Sequence, residues 1–411
     1  MSSFKELGVK SKYIELLKRK GISVPTAIQN ETISLINEGK DIIGESATGT
    51  GKTLAFLLPT LEKLEKESKD SWIKVLILAP TRELTIQIGE VIEGLDVEGN
   101  FKLGLIYGGK TGGRTKKELD IVVATPGRLL ELIEKKIIDI SKISTLIIDE
   151  ADQMILLGFK NEVEKIIKNI NKKHQTLCFS ATLNSEVKKF AYRYTKEPKV
   201  INVKEEIESV DNISQFIIET SDRRKIDSLC TVLNEDNPFI GIIFCRTKVR
   251  VDKLDEQLHT RGYSCQKLHS DIPQSKREKI LKSFKNLEVQ YLIATDVVAR
   301  GIDIQGVTHI YNYDIPEGAE GYIHRIGRTG RAKEKGTACL FIDDKDREKL
   351  KVIESELGYE LKKREVFEKP NTENTNILPK TKYDKRINVS SKKIENIKIV
   401  KKREALKRFD V

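Results

Sequence analysis

No stretch of this 411-residue chain is apolar for long enough to cross a membrane, and Met1 to Glu6 lacks the basic-then-apolar form of a secretory signal. Both absences make the cytoplasm the expected location. Cysteine is scarce: Cys178, Cys230, Cys245, Cys265 and Cys339 are odd in number, scattered and never spaced C-x-x-C. The five histidines show no metal-ligand spacing either. A disulfide framework and a zinc site are therefore disfavoured, and buried reduced thiols are expected. Also missing is any repeat visible at the level of sequence.

What is present is the composition of a soluble globular protein, 38% hydrophobic and 33% charged, with length enough for two domains and a tail. The net charge of +11 is unevenly spread. From Lys363 to the end there are 15 Lys+Arg against 7 Asp+Glu, a net +8, which leaves +3 for everything before. Basic tails of this kind bind nucleic acid or keep a protein in solution. The Asn, Lys, Thr and Pro content there argues for flexibility. A weak helical period over 394–406 could order on a partner.

Between about residue 40 and 202, short β-rich runs alternate with amphipathic stretches such as 53–66 and 83–95. Strands are expected at 42–44, 75–79, 103–106, 121–124, 146–149 and 177–180. The polar, acid-rich segment 203–212 reads as a linker. Alternation then restarts, with strands expected at 215–219, 241–245, 291–294, 307–311 and 338–342. Such alternation means βαβ crossovers and parallel sheets covered on both faces. The expected division is one α/β domain over 1–202, a linker over 203–212, a second α/β domain over 213–362 and a tail over 363–411.

Two motifs follow strand-like runs. Gly49 and Gly51 let the backbone curl so that its N–H groups face phosphate oxygens. Lys52 can reach the β- and γ-phosphates, and the Thr53 hydroxyl can ligate Mg²⁺. The strict G-x-x-x-x-G-K-[ST] pattern is not met, because Ser46 occupies the first glycine position. Asp149-Glu150-Ala151-Asp152 emerges at the carboxyl end of another run, where open α/β sheets bind ligands. Asp149 would hold Mg²⁺, and Glu150 would orient and deprotonate an attacking water. Alone, four such residues could equally start a solvated helix. About a hundred residues behind a phosphate loop, they read as the other half of a nucleotide-hydrolysis site.

With these motifs in place, the chain resembles the DEAD-box ATP-dependent RNA helicases of helicase superfamily two, from about Phe4 to Ile342. Gly21-Ile22-Ser23-Val24-Pro25-Thr26-Ala27-Ile28-Gln29 resembles the family's adenine-selecting Q motif, with Ile22 where an aromatic is usual. The match implies that Gln29 pairs with the adenine edge and that Phe4 stacks on the base. Ser46-Ala47-Thr48-Gly49-Thr50-Gly51-Lys52-Thr53 resembles the first motif, which has alanine where this chain has Ser46. Ser180-Ala181-Thr182 resembles the motif that links hydrolysis to strand separation, with hydroxyls suited to bonding Asp152. His324-Arg325-Ile326-Gly327-Arg328-Thr329-Gly330-Arg331 resembles the motif whose arginines reach the γ-phosphate. By that match Arg328 and Arg331 are arginine fingers, worth ~10³–10⁵ in rate. His324 joins Asp152, Ser180 and Thr182 as a coupling group, and Asp303 would contact the ribose.

The RNA-facing positions implied by the resemblance are Pro80, Arg82, Gly108, Gly109, Thr125 and Arg128 in the first domain. In the second they are Arg246, Gln274, Arg277, Thr295 and Asp296. Such residue types suit phosphate and sugar contacts that read no bases, and contacts to the 2′-OH favour RNA over DNA. The resemblance further implies an α/β fold of two tandem RecA-like domains, with ATP and Mg²⁺ as cofactors. It implies local unwinding of short RNA duplexes or remodelling of RNA–protein complexes as the activity. An ATP-gated RNA clamp with little unwinding remains open, as does a DNA helicase of the same superfamily. Ribosome assembly, mRNA decay and cold-shock unfolding all fit, so ribosomal or RNA-decay proteins are candidate partners.

Overall fold

Two seven-stranded sheets organise the computed structural model, which describes residues 2–47, 49–67, 72–108, 118–203, 212–296, 306–330 and 335–366. The first sheet contains β1 (Ile42–Glu45), β2 (Val75–Leu78), β3 (Leu103–Ile106), β4 (Ile121–Ala124), β5 (Thr145–Ile148), β6 (Gln175–Ser180) and β7 (Lys199–Asn202). Its order is β3-β4-β2-β5-β6-β1-β7. The second contains β8 (Ile213–Glu219), β9 (Gly241–Cys245), β10 (Cys265–Leu268), β11 (Tyr291–Thr295), β12 (His309–Asn312), β13 (Gly336–Ile342) and β14 (Lys362–Lys363). Its order is β10-β11-β9-β12-β13-β8-β14. Every pairing in both sheets is parallel. Counted from its own first strand, each sheet has the same order, 3-4-2-5-6-1-7. The two domains are therefore RecA-like copies of one topology, a repeat that left no trace in the residues.

The central strands are apolar on both faces because helices cover both sides. Val75 and Ile77 of β2 enter one core, and Leu76 and Leu78 enter the core on the other face. In the second sheet Ile242 and Phe244 of β9 point one way, and Ile243 and Cys245 the other. Parallel pairing collects the carboxyl ends of the strands along one edge of each sheet. The loops after β1, β2, β4, β5 and β6 therefore meet, and these carry most of the motifs.

All eleven expected strands are present, with ends displaced by one or two residues in several cases. Three more, β7, β10 and β14, were not expected. All three lie at sheet edges: β7 leaves three of four residues exposed and β14 both, while the two middle residues of β10, Gln266 and Lys267, are half-buried polar side chains. The second domain also reaches past residue 362. Lys363 pairs in β14, and the Arg364 guanidinium donates to Asp236 (2.7 Å) and Glu235 (2.8 Å). Most of the expected linker and the segment 367–411, including 394–406, lie outside the described residues. All five cysteines are buried free thiols. No helix among the described residues is long and apolar enough to cross a membrane.

Candidate active site

After β1 the chain turns through Gly49 (φ +86°) and Gly51 (φ +91°), left-handed conformations that glycine adopts without penalty. Gly51 caps the helix Lys52–Leu64, so that helix's free N–H groups and the positive end of its dipole face the loop, as an anion site requires. A Cβ at Gly51 would also collide with Gln29 Nε2. The loop is braced from within. Lys52 Nζ donates to the Ser46 carbonyl (2.6 Å), Thr50 Oγ1 donates to the Ala47 carbonyl (2.8 Å), and Ser46 N donates to the Ser180 carbonyl (3.1 Å). The Ser46 and Thr50 hydroxyls lie 2.6 Å apart, so the departure from alanine at 46 adds a strut. Thr53 is half-buried in the first turn of the helix, and Thr48 lies outside the described residues.

Two residues expected at the adenine site are buried in this structure. Gln29 is 1% exposed, and its amide is already engaged: Oε1 accepts from Thr26 N (3.0 Å) and Nε2 donates to the Gly51 carbonyl (3.0 Å). It is a strut between the Q-like segment and the phosphate loop before any base arrives. Phe4, expected to stack on the base, is buried as well. It is 2% exposed and packs in the apolar cluster that also holds Val9, Tyr13 and Ile33.

β5 runs out into the acidic motif, where Asp149 N donates to the Leu78 carbonyl (3.0 Å). Glu150 takes a left-handed conformation (φ +50°, ψ +54°), which costs a non-glycine residue about 1–2 kcal/mol and starts the helix Ala151–Leu156. Asp149, Glu150 and Asp152 are all buried. Burial raises the Asp149 carboxyl to about 6, against the opposing pull of Lys52. Burial and then the Asp149 charge raise Glu150 to about 7, and Arg328 of the second domain pulls it back down. Among the described residues, buried Glu150 Oε2 finds no hydrogen-bond partner. Crowded carboxylates with an unsatisfied oxygen fit a hard, oxygen-loving divalent cation.

The coupling residues do come together. Asp152 N donates to Ser180 Oγ (3.2 Å), and Thr182 Oγ1 lies within reach of both Asp152 Oδ2 (3.4 Å) and Glu320 Oε1 (3.1 Å). Donor atoms of Asp152, Glu320 and His324 lie within 4.8 Å of one another. Glu320 and His324 both sit on the helix Ala319–Ile326 of the second domain. Sequence reasoning missed Glu320, although its i,i+4 spacing from His324 places both on one helical face.

The RNA set divides. Arg82 lies against Gly108, where a Cβ would stand 2.8 Å from Arg82 Nη2. Pro80 and Thr125 are buried beside these loops, Thr295 is half-buried, and Arg246 keeps 48% of its side chain exposed. Arg128 is half-buried beside Glu131. Gln274 and Arg277, expected to face RNA, are buried where the two domains meet. Arg277 Nη2 pairs with Glu83 Oε1 at 2.7 Å, the two side chains 8% and 6% exposed, and Gln274 Oε1 accepts from Arg82 (3.4 Å). The cause is Glu83, an acid beside Arg82 that offers Arg277 a desolvated partner. Asp296 is clamped bidentately by the buried Arg325 at 2.5 and 2.6 Å and keeps about a quarter of its side chain exposed. Arg328 is buried on the second domain, while Gly109, Asp303 and Arg331 lie outside the described residues.

A glycine-cradled loop and buried acids on one RecA-like sheet, approached by an arginine from a second, define a tandem RecA-like nucleotide hydrolase. Comparison with known proteins is more specific. Residues 26–190 match the DEAD/DEAH box helicase family, and residues 224–333 match the helicase conserved C-terminal domain. The chain is 43% identical over 356 residues to the DEAD-box ATP-dependent RNA helicase CshA of Bacillus subtilis, covering 86% of this chain and 72% of that protein. It is 41% identical over 358 residues to the ATP-dependent RNA helicase CshA of Listeria monocytogenes, covering 86% and 68%. Among solved structures it is similar to S. cerevisiae Dbp5 bound to RNA and ADP BeF3, with a TM-score of 0.82 and 29% identity over 89% of this chain and 96% of that one. It is also similar to Mss116p bound to ssRNA and AMP-PNP, with a TM-score of 0.79 and 29% identity over 89% and 78%. The chain belongs to the DEAD-box ATP-dependent RNA helicases, and is thereby an ATP-hydrolysing enzyme.

Proposed function

We propose that this protein uses ATP held between its two domains to displace one strand of a short RNA duplex or to remodel an RNA–protein complex. The observation that carries the reading is the pair of contacts across the cleft, Arg277 to Glu83 and Thr182 to Glu320. They tie the hydrolytic centre to the relative position of the domains. Similarity to relatives bound to RNA and nucleotide supports RNA and ATP as ligands.

In this reading Ala47, Thr48, Gly49, Thr50 and Gly51 cradle the phosphates, and Lys52 exchanges the Ser46 carbonyl for a phosphate oxygen. Gln29 keeps one N–H and one lone pair for the adenine edge, while Phe4 supports that segment by packing. Thr53 and Asp149 would hold Mg²⁺, which neutralises phosphate charge when bound. Glu150, poised near neutrality by burial, takes the proton of the attacking water. Arg328 and Arg331 stabilise charge on the transferring group, and Asp303 contacts the ribose. Asp152, Ser180, Thr182 and His324 relay the state of the site across the cleft. Pro80, Arg82, Gly108, Gly109, Thr125, Arg128, Arg246 and Thr295 form the RNA path, with Gln274, Arg277 and Asp296 setting its geometry. The working units are a first domain ending near 203, a second spanning 212–366 and a basic tail. The cytoplasm is the proposed location, with ribosomal or RNA-decay proteins as partners.

A strand-displacement assay on a short RNA duplex tests the proposal. ATP-dependent release of the shorter strand is expected. RNA-stimulated ATP turnover without release would replace unwinding by clamping, and equal stimulation by DNA would overturn the RNA assignment.

A further inference from the structure

Away from the cleft, the second domain carries a group of three donors with no part in ATP chemistry. Asp255 and His259 lie four residues apart on the helix Lys248–Thr260, and so share one face. The chain then turns at Gly262 (φ +81°) and returns with Cys265 as the first residue of β10, an edge strand of the second sheet. Cys265 thus stands at the amino end of its strand, opposite the edge where the motif loops gather.

The geometry is specific. His259 Nδ1 lies 3.3 Å from Cys265 Sγ and 3.3 Å from Asp255 Oδ1, and Cys265 Sγ lies 3.7 Å from that same Oδ1. Zinc bound at ordinary S, N and O distances in a tetrahedron would separate such ligand atoms by about 3.4–3.6 Å. Three donors already spaced within a few tenths of an ångström of that figure need little rearrangement to accept an ion. We propose that Asp255, His259 and Cys265 form a binding site for zinc, with water as the fourth ligand.

Thiol, imidazole and carboxylate together match the borderline-soft preference of zinc over magnesium or calcium. The two Asp255 oxygens are also differentiated. Oδ1 faces the sulfur and the imidazole, whereas Oδ2 lies 3.9 Å from Lys267 Nζ, itself fixed by Asp252 at 2.6 Å. An outer partner that orients a ligating carboxylate is the usual arrangement around bound metals. The His259 side chain is 54% exposed, so ion and water have an open approach. Before uptake His259 Nδ1 also lies 2.9 Å from the Asp255 carbonyl, and binding exchanges that contact for a metal bond. Bound zinc would pin the last turn of the helix to the edge strand.

Co²⁺ titration of the full-length protein, followed by visible absorption, provides the test. One equivalent should give the d–d bands of a tetrahedral site with a thiolate charge-transfer band, and Zn²⁺ should displace it. Cys265→Ser should lose the charge-transfer band. His259→Ala, at a half-exposed position that tolerates truncation, should bind Co²⁺ at least about tenfold more weakly while keeping its RNA-stimulated ATP turnover. A spectrum without the thiolate band, or equal Co²⁺ binding by wild type and His259→Ala, would overturn the proposal. Either result would move any bound ion to another site, such as Asp152, Glu320 and His324 at the cleft.

Discussion

Replacing Glu150 by glutamine separates two consequences of one buried carboxylate. Its carboxyl is raised from 4.5 to about 7, chiefly by burial and next by Asp149. At about 1.4 kcal/mol per pKa unit, ionising it in the folded protein costs roughly 3 kcal/mol. Because the folded pKa lies above the unfolded one, the native state binds the proton more tightly. Its contribution to stability is intact below about pH 4.5 and is lost as pH rises through about 7. Glutamine mimics the protonated form at every pH. In the absence of Mg²⁺ and nucleotide, Glu150→Gln should therefore be more stable than wild type by about 3 kcal/mol at pH 8.5. The gap should shrink to well under about 1 kcal/mol at pH 4.5. For a domain of this size the alkaline difference corresponds to roughly 6–12 °C in Tm, measurable by calorimetry of the full chain. The same variant should bind ATP and RNA but turn over about 10²–10⁴-fold more slowly, having lost its general base. A Tm gap that is equal at both pH values would refute the buried-carboxylate reasoning. Normal turnover would refute the catalytic role.

Four further outcomes are expected. Lys52→Ala should abolish ATP turnover, because it removes both the phosphate contact and the strut to Ser46, and unaltered turnover would displace the site. Gly51→Ala should lose nucleotide affinity, since its Cβ would strike Gln29 and strain a φ of +91°; equilibrium binding of a fluorescent ATP analogue checks this. Arg277→Ala leaves Glu83 buried without its charge partner, a loss of about 3–5 kcal/mol to this contact between the domains. RNA-stimulated turnover should fall far more than the basal rate, and a combined Glu83→Gln change should recover part of the loss. Removing 367–411, which carries 13 Lys+Arg against 6 Asp+Glu, should weaken RNA binding and flatten its dependence on salt. The cut belongs after Val366 rather than Lys362 so that β14 and the Arg364 anchor survive. An unchanged salt slope would leave the tail as solubilising charge.

Local chemistry made half of this protein legible in its residues. A central strand such as β2 is apolar on both faces because helices bury both, so its run reads as a strand wherever it occurs. The phosphate loop and the Asp149 to Asp152 motif are each built within a few consecutive residues, and their spacing carries their meaning. Edge strands β7 and β14 escaped because solvent asks little of their composition, and β10 because Gln266 and Lys267 interrupt its apolar run. Arg277 and Asp296 were expected at the RNA by resemblance, and their partners in the fold could not be read from it: Glu83, 194 positions away, and Arg325, 29 positions away. Glu320 and the Asp255, His259 and Cys265 group were invisible for the same reason, since a helix face and a strand end meet only after folding.

Chain order was enough to establish two α/β domains and to mark a phosphate-loop motif and an acidic motif in the first. Hydrophobic period and motif spacing are short-range properties, written residue by residue. Three-dimensional packing established that the two sheets share one strand order, that Gln29 and Ser46 brace the phosphate loop, and that a buried Arg277–Glu83 pair bridges the domains. Each of these depends on which groups lose water together, and that depends on contacts between residues far apart in the chain.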